Sequence, residues 1–448
     1  MNERNARIAL ASVFFVYVLV MRTYDVASTF LMLGEQTRDW TIALGSIIDL
    51  PLIGAPSTAG GRGLGPIYYW LLWLGRITIG PFFDNLPHAG GIAVAILQSI
   101  ADAWLFIVLS RRIHWTLALA LGLLIASAPF DIALSSLIWN PPVSAALVKM
   151  AMAMALSLTP ASPLWHVGMT AAFAWCAVQA HLSGIFVAAP LLAALALNDK
   201  PKGLSLRRAG LSLPRLGVVA AVVLVLQLPF LISIVRDPSG PAGPTTAIAS
   251  IVNPQAFKPW SAYGSVTGIT GNLVMPISDA FGFAFPTLIA ALVVAIVYRH
   301  DLILVGITVG AVLAATALFT TSTRSYDGYW FVTLTTALTL TFGMAIAAIP
   351  SKTAVQWIGV ALLLIVAWRQ PARIEDSKRF FKYPQYEPMV RASRELIMRA
   401  SAVRDIRVNF EVHPTMDRLL LYKILGGRVD ASALYTAVIN ADGTITLQ

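Results

Sequence analysis

The sequence predicts an all-α polytopic membrane domain of about eleven transmembrane helices, followed by a small C-terminal α/β domain. Three observations carry this expectation. First, 57% of the 448 residues are hydrophobic and only 12% are charged, about half the charged share of an average soluble domain. Second, 22 of the 54 charged residues fall in the last 80 positions, which leaves residues 1–368 as a repeated series of apolar runs. Third, threading those runs back and forth brings the basic residues at their ends to one side: Arg4 and Arg7, Arg111 and Arg112, Lys200, Lys202, Arg207 and Arg208, Arg299 with His300, then Lys352. A soluble enzyme is excluded. The net charge of +10 reads as topology rather than as a nucleic-acid surface, because no basic cluster with interleaved aromatics is present.

The expected spans are 8–30, 91–110, 114–129, 142–160, 164–181, 183–198, 212–233, 283–298, 302–321, 329–349 and 353–368. The first reads as a retained span, since no small-residue cleavage site follows it. The positive-inside rule makes that basic side cytoplasmic, so eleven spans put the N-terminus inside and the C-terminal domain outside. Residues 1–368 form the membrane domain and 369–448 the outer one. The long segments, 31–90 and 234–282 above all, fall on the outer side, so function is expected there. Within 31–90, DWTIALGSIID reads as a short interfacial helix, STAGGRGLG as a flexible loop, and PIYYWLLWLGRITIGPFF as a Pro-started amphipathic element. Residues 130–141 are expected as an outer loop, ending in a double proline that starts the next helix. In the tail, YEPMVRASRELIMRASAV has helical spacing and RDIRVNFEVH alternates like a strand; PTMDRLLLYKIL is a helix stopped by Gly426 and Gly427, and YTAVINADGTITLQ is a hairpin. The single cysteine, Cys176, lies in an apolar run as a small buried side chain.

Ionisable residues near the hydrocarbon are expensive and therefore informative. Glu35 and Asp39 are four apart, so a helix through EQTRDW projects both carboxylates from one face, where one of them can act as a general base. The alternative is an interfacial ion network in which Arg22 and Arg38 neutralise Asp25, Glu35 and Asp39. Asp131, beside WNPP, can hydrogen-bond an acceptor hydroxyl, fix an arginine, or simply face water. His181 in QAHLSG can bind phosphate or stay a hydrogen-bonded structural residue. Asp102 and Lys149, inside even-numbered spans, are expected to pair with each other. Arg324 in TSTRSYDGYW and Lys258 beside Trp260 are candidate cations for a lipid phosphate, or else headgroup anchors. No P-loop, dinucleotide glycine motif or metal-spaced Cys/His cluster is present.

GEQTRDW followed by GAPSTAGGRGLGPIYYWLL resembles the first outer loop of the GT-C superfamily of polyprenyl-phosphate-dependent glycosyltransferases, in particular the bacterial protein mannosyltransferase and aminoarabinose transferase group. The spacing of WNPP and QAHLSG is also similar to that group. The resemblance implies a GT-C-type membrane enzyme that takes a sugar from a polyprenyl-phosphate carrier at the periplasmic face. The sugar is passed, usually with inversion, to a lipid, glycan or protein acceptor. The resemblance aligns the family's catalytic aspartate with Glu35 and leaves open whether Glu35 or Asp39 is the base. It places Asp131 as the acid that supports the acceptor site and Arg324 near the phosphate-binding cations. Arg38, Arg62, Tyr68, Tyr69 and His181 are further site candidates. The implied partners are the polyprenyl-phosphate sugar, membrane lipids and the acceptor, with no nucleic acid. No cofactor is expected; a divalent metal is possible, because carboxylates are hard ligands, but no oxygen-rich spacing indicates one. A transporter or flippase is the competing class, and a noncatalytic assembly protein a third; the two outer-face acidic sites favour the enzyme.

Overall fold

The computed structural model describes residues 3–56, 62–159, 161–198, 210–237, 284–314, 332–379, 381–399, 405–410, 416–430, 432–439 and 445–447. The described part of the membrane domain is helical apart from one two-residue strand pair, Leu197–Asn198 against Gly210–Leu211. Helix α1 (Glu3–Thr23) and the short α2 (Val26–Thr29) form the first apolar stretch, interrupted at Tyr24 and Asp25. Then come α3 (Gly34–Leu44), α4 (Ile67–Thr78), α5 (His88–Arg112), α6 (Trp115–Ala126) and α7 (Pro129–Leu134). They are followed by α8 (Asn140–Leu156), α9 (Leu164–Ala180), α10 (Ile185–Ala196) and α11 (Leu213–Arg236). The last helices of this part are α12 (Ala284–Val297), α13 (Leu302–Ala314), α14 (Val332–Ala347) and α15 (Lys352–Arg379).

Among the described residues, four stretches are long and apolar enough to cross a membrane: Asn5–Thr29, His88–Arg112, Leu213–Arg236 and Lys352–Ala372. The other apolar helices are shorter. Their burial differs sharply and follows composition. Helix α8 is mostly apolar and rich in alanine apart from Ser144 and Lys149, so neighbouring backbones approach it closely, and it sits at the centre of the bundle against α5 and α9. Helix α11 buries only Val219 and Phe230 and turns Leu224, Val225, Leu231 and Val235 outward, as a lipid-facing helix does.

One expectation changes. The 130–141 segment is not a loop at its start, because α7 occupies Pro129–Leu134 and buries Ile132 and Leu134. The loop read in STAGGRGLG falls for its first five residues, 57–61, outside the described residues. On either side of them Pro56 and Arg62 form a β-bridge, and the Gly54 and Gly63 backbones make close contacts that a Cβ on either would obstruct. The double proline does start α8, and the chain is helical through EQTRDW.

At the C-terminal end, α16 (Tyr386–Arg399), β3 (Asp405–Phe410), α17 (Met416–Ile424), β5 (Tyr435–Ile439) and β6 (Ile445–Leu447) follow the expected order, and a further short strand, β4 (Arg428–Val429), lies between α17 and β5. The sheet order is β4-β3-β5-β6, with β3 parallel to both β4 and β5, and β5 antiparallel to β6. Gly426, at φ +100, ends α17 in the left-handed conformation that glycine adopts without a Cβ penalty. Helix α17 packs on α3, and α16 packs on α2, so this unit rests directly on the segment that carries the acidic motif.

Candidate active site

The acidic motif lies in α3. The Gln36 side chain accepts from the Leu33 N–H at 3.2 Å, and Thr37 N–H bonds back to Leu33 O at 2.9 Å, which fixes the first turn. Glu35 is half-buried in that turn and its charge acts on Arg38; Asp39, one turn further on, is fully buried. Arg38 Nε donates to Asp39 Oδ1 at 2.8 Å, Tyr68 Oη to Oδ2 at 2.9 Å and Tyr69 Oη to Oδ1 at 3.2 Å. Adjacent residues on a helix point about 100° apart, so both hydroxyls reach one carboxylate because α3 crosses the first turn of α4. Burial lifts the Asp39 pKa, opposed by Arg38 and the two hydroxyls. Burial and the Asp39 charge push both tyrosines up, which keeps their protons in place as donors.

The surroundings hold this arrangement. Trp40 Nε1 donates to Asn85 O at 2.8 Å, and that carbonyl is presented by two consecutive left-handed residues, Asp84 (φ 53) and Asn85 (φ 55). Arg62 donates from Nε to Gly54 O at 3.0 Å and lies close enough for its charge to act on Tyr69. The structure therefore brings Glu35, Arg38, Asp39, Arg62, Tyr68 and Tyr69 together. Lys258 and Arg324 lie outside the described residues.

Asp131 goes elsewhere. It is buried in a four-charge network in which Lys149 Nζ lies 2.5 Å from Asp131 Oδ2 and 2.9 Å from Asp102 Oδ1, while Arg22 Nη2 lies 2.6 Å from Asp102 Oδ2 and 3.6 Å from Asp131 Oδ1. Ser99 and Gln98 accept further bonds from Arg22 and Lys149. Two acids and two bases balance in a region no isolated charge could occupy. The Asp102–Lys149 pair is as expected from the sequence. Asp131 takes the cation-fixing alternative, because its short helix α7 turns it inward. His181 is buried, with Nδ1 2.7 Å from Ser183 Oγ, and Ser183 in turn contacts Thr333, so these side chains make a polar helix junction.

The sequence reading missed two groups. Asp25 bridges Lys378 and Lys382, each at 2.7 Å, and so ties the end of α15 to the first apolar stretch. Gln227, Trp175 and Gln179 form a polar cluster against the loop before α4. The available signal for the second was a glutamine inside a 24-residue apolar run. Among the described residues no group of His, Cys, Asp and Glu could hold a metal ion.

No protein-family model and no curated protein matches the chain. Among solved structures, ArnT from Cupriavidus metallidurans bound to undecaprenyl phosphate matches with TM-score 0.57 at 15% identity, over 92% of this chain and 84% of that one. Its apo state matches equally, with TM-score 0.57 over 93% and 85%. The oligosaccharyltransferase AglB from Archaeoglobus fulgidus, in complex with an inhibitory peptide and a dolichol-phosphate, aligns with TM-score 0.49 at 13% identity, over 88% of this chain and 58% of its own. At such identities the likeness is one of fold alone: the chain shares its architecture with ArnT.

Proposed function

We propose that the chain is a membrane glycosyltransferase that moves a sugar from a polyprenyl-phosphate carrier to a lipid, glycan or protein acceptor at the periplasmic face, with inversion. In this reading all eleven apolar segments cross the inner membrane, and residues 369–448 form a separate periplasmic domain. The observation that carries it is the buried Asp39 carboxylate, gripped by Arg38, Tyr68 and Tyr69, with Glu35 one turn away on the same helix and only half-buried.

The roles divide by exposure. A carboxylate offers about four lone-pair positions, and Asp39 spends three of them on fixed donors, so it serves as the anchor that orients Arg38 and the first turn of α4. Glu35 is the general base: it accepts the acceptor hydroxyl's proton as that oxygen attacks the anomeric carbon and the bond to the carrier phosphate breaks. Cations must stabilise the departing phosphate. Arg38 and Arg62 flank the carboxylates, and Arg324 and Lys258 remain donor-phosphate candidates from the outer segments. Asp131 acts at a distance, through the buried charge network. No metal enters the scheme.

Purified protein incubated with a panel of polyprenyl-phosphate sugars should release sugar or transfer it to a lipid or peptide acceptor, and E35Q should not. Release by E35Q at the wild-type rate would refute the base assignment, and absence of transfer with every donor would refute the enzyme class.

A further inference from the structure

The geometry points to Gln227 as a positioning residue for the candidate active site, acting from a lipid-facing helix through the backbone of the loop before α4. This rests on the proposed transfer reaction for its kinetic readout but not for its structural one.

Helix α11 presents nearly all its surface outward, and its most apolar 18-residue stretch has a mean hydropathy of 2.8. A glutamine amide there is costly unless both of its ends are satisfied. Both are. Trp175 Nε1 of α9 donates to Gln227 Oε1 at 3.0 Å, and Gln227 Nε2 donates to Leu64 O at 2.9 Å, across 163 positions of sequence. One residue earlier, Leu226 O accepts from Gln179 Nε2 at 2.5 Å. The Gln179 side chain lies where a Cβ on Gly65 would be, and its carbonyl lies 3.3 Å from the Cβ position of Gly63. Pro229 lies in the same stretch of α11 and, without an N–H, cannot bond to the Val225 carbonyl one turn earlier.

The loop held this way leads directly into the site. Leu64 sits two residues after Arg62, which bonds to Gly54 O, and four and five before Tyr68 and Tyr69, whose hydroxyls grip Asp39. Gly63 N–H bonds to Ala55 O at 2.9 Å and Gly63 O accepts from Gly54 at 3.1 Å, so the pinned segment is a closed backbone unit. Fixing the Leu64 carbonyl fixes where α4 begins, and hence where both tyrosine hydroxyls and Arg62 lie relative to Asp39. Were Gln227 simply an adhesive between α11 and the bundle, its amide could bond to α9 alone; it spends its donor on the loop instead.

The test compares the full-length wild type with Q227M and Q227E in detergent. Methionine keeps the length of the side chain and suits a lipid-facing helix, so Q227M should melt as the wild type does. Its Gly63 amide, followed by hydrogen exchange in peptides from the 62–72 region, should exchange at least tenfold faster, with α9 and α5 unchanged. Its kcat should fall about tenfold at constant donor KM, because small misplacements of positioned groups act on the chemical step. In its neutral form the Q227E side chain supplies both an acceptor for Trp175 and a donor for Leu64 O. It should restore slow exchange and most of the kcat. Unchanged Gly63 exchange in Q227M overturns the inference, as does faster exchange with a wild-type kcat, or a Q227E protein that behaves like Q227M. If no protein, wild type included, transfers sugar, the proposed reaction has failed, while the exchange data still decide whether Gln227 holds the loop.

Discussion

Asp39 and Glu35 share a helical face but not an environment, and their variants should separate accordingly. E35Q removes a half-buried base without disturbing the Asp39 grip, so turnover should fall by about 10²–10⁴ while the melting temperature holds; purified-protein kinetics beside a thermal melt checks both. Y68F removes a hydrogen bond to a buried charged group and should cost about 1.5–3 kcal/mol of stability. Asp39 also makes a pH prediction. Burial raises its pKa above the ordinary 3.8, so the folded chain holds the proton more tightly than the unfolded chain does. Its contribution is then fullest below about pH 4 and declines as pH rises through the folded pKa. D39N mimics the neutral form and lacks that decline. The wild-type melting temperature should therefore drop relative to D39N between about pH 4 and pH 7, and parallel curves would show that Asp39 is ionised at no net cost.

At the level of elements, α1, α5, α7 and α8 are locked by Arg22, Asp102, Asp131 and Lys149. K149M leaves two carboxylates facing one arginine and should destabilise by about 3–5 kcal/mol. Adding D131N leaves the balanced Arg22–Asp102 pair and should recover most of that loss; denaturant titration of the single and double variants measures the recovery. This cluster also shows where sequence reading stops. The apolar runs, the proline start of α8, the glycine end of α17 and the shared face of Glu35 and Asp39 are local patterns, and each was legible. The Asp102–Lys149 pair could be inferred because each residue needed a partner in hydrocarbon. For Asp131 the sequence left three alternatives open, since its residence in α7 and its inward aim depend on helices that are distant in sequence. Gln227 carries no local sign of its partners either, because Trp175 and Leu64 lie 52 and 163 positions away in sequence.

Across the whole molecule the contacts sort into two ends. Arg112 bonds to Asp301 at 2.7 Å and to Leu156 O at 2.8 Å at one end, and these positions adjoin the basic loops. Asp25, Asp84, His88, Lys378 and Arg394 gather with α3 at the other. A reporter fused after Gln448 should accordingly read as periplasmic, and cytoplasmic activity in a functional fusion would reverse the proposed orientation. The same end shows what holds the C-terminal unit in place. Asp84 and Arg394 meet at 2.7 Å, but both side chains are more than half exposed, and such pairs are worth about 0–1 kcal/mol. Tyr386 is fully buried; its ring packs edge-on to Phe30, and its hydroxyl lies 3.0 Å from His88 Nδ1, while Tyr383 N–H bonds to Thr29 O nearby. Truncating a buried aromatic costs about 3–5 kcal/mol, several times the surface pair. R394A should therefore leave the tail as resistant to limited proteolysis as in the wild type, whereas Y386A should expose residues 380–448 to cleavage while the membrane helices stay protected. Equal protection in both variants would mean that the sheet side, through α17 on α3, carries the docking instead.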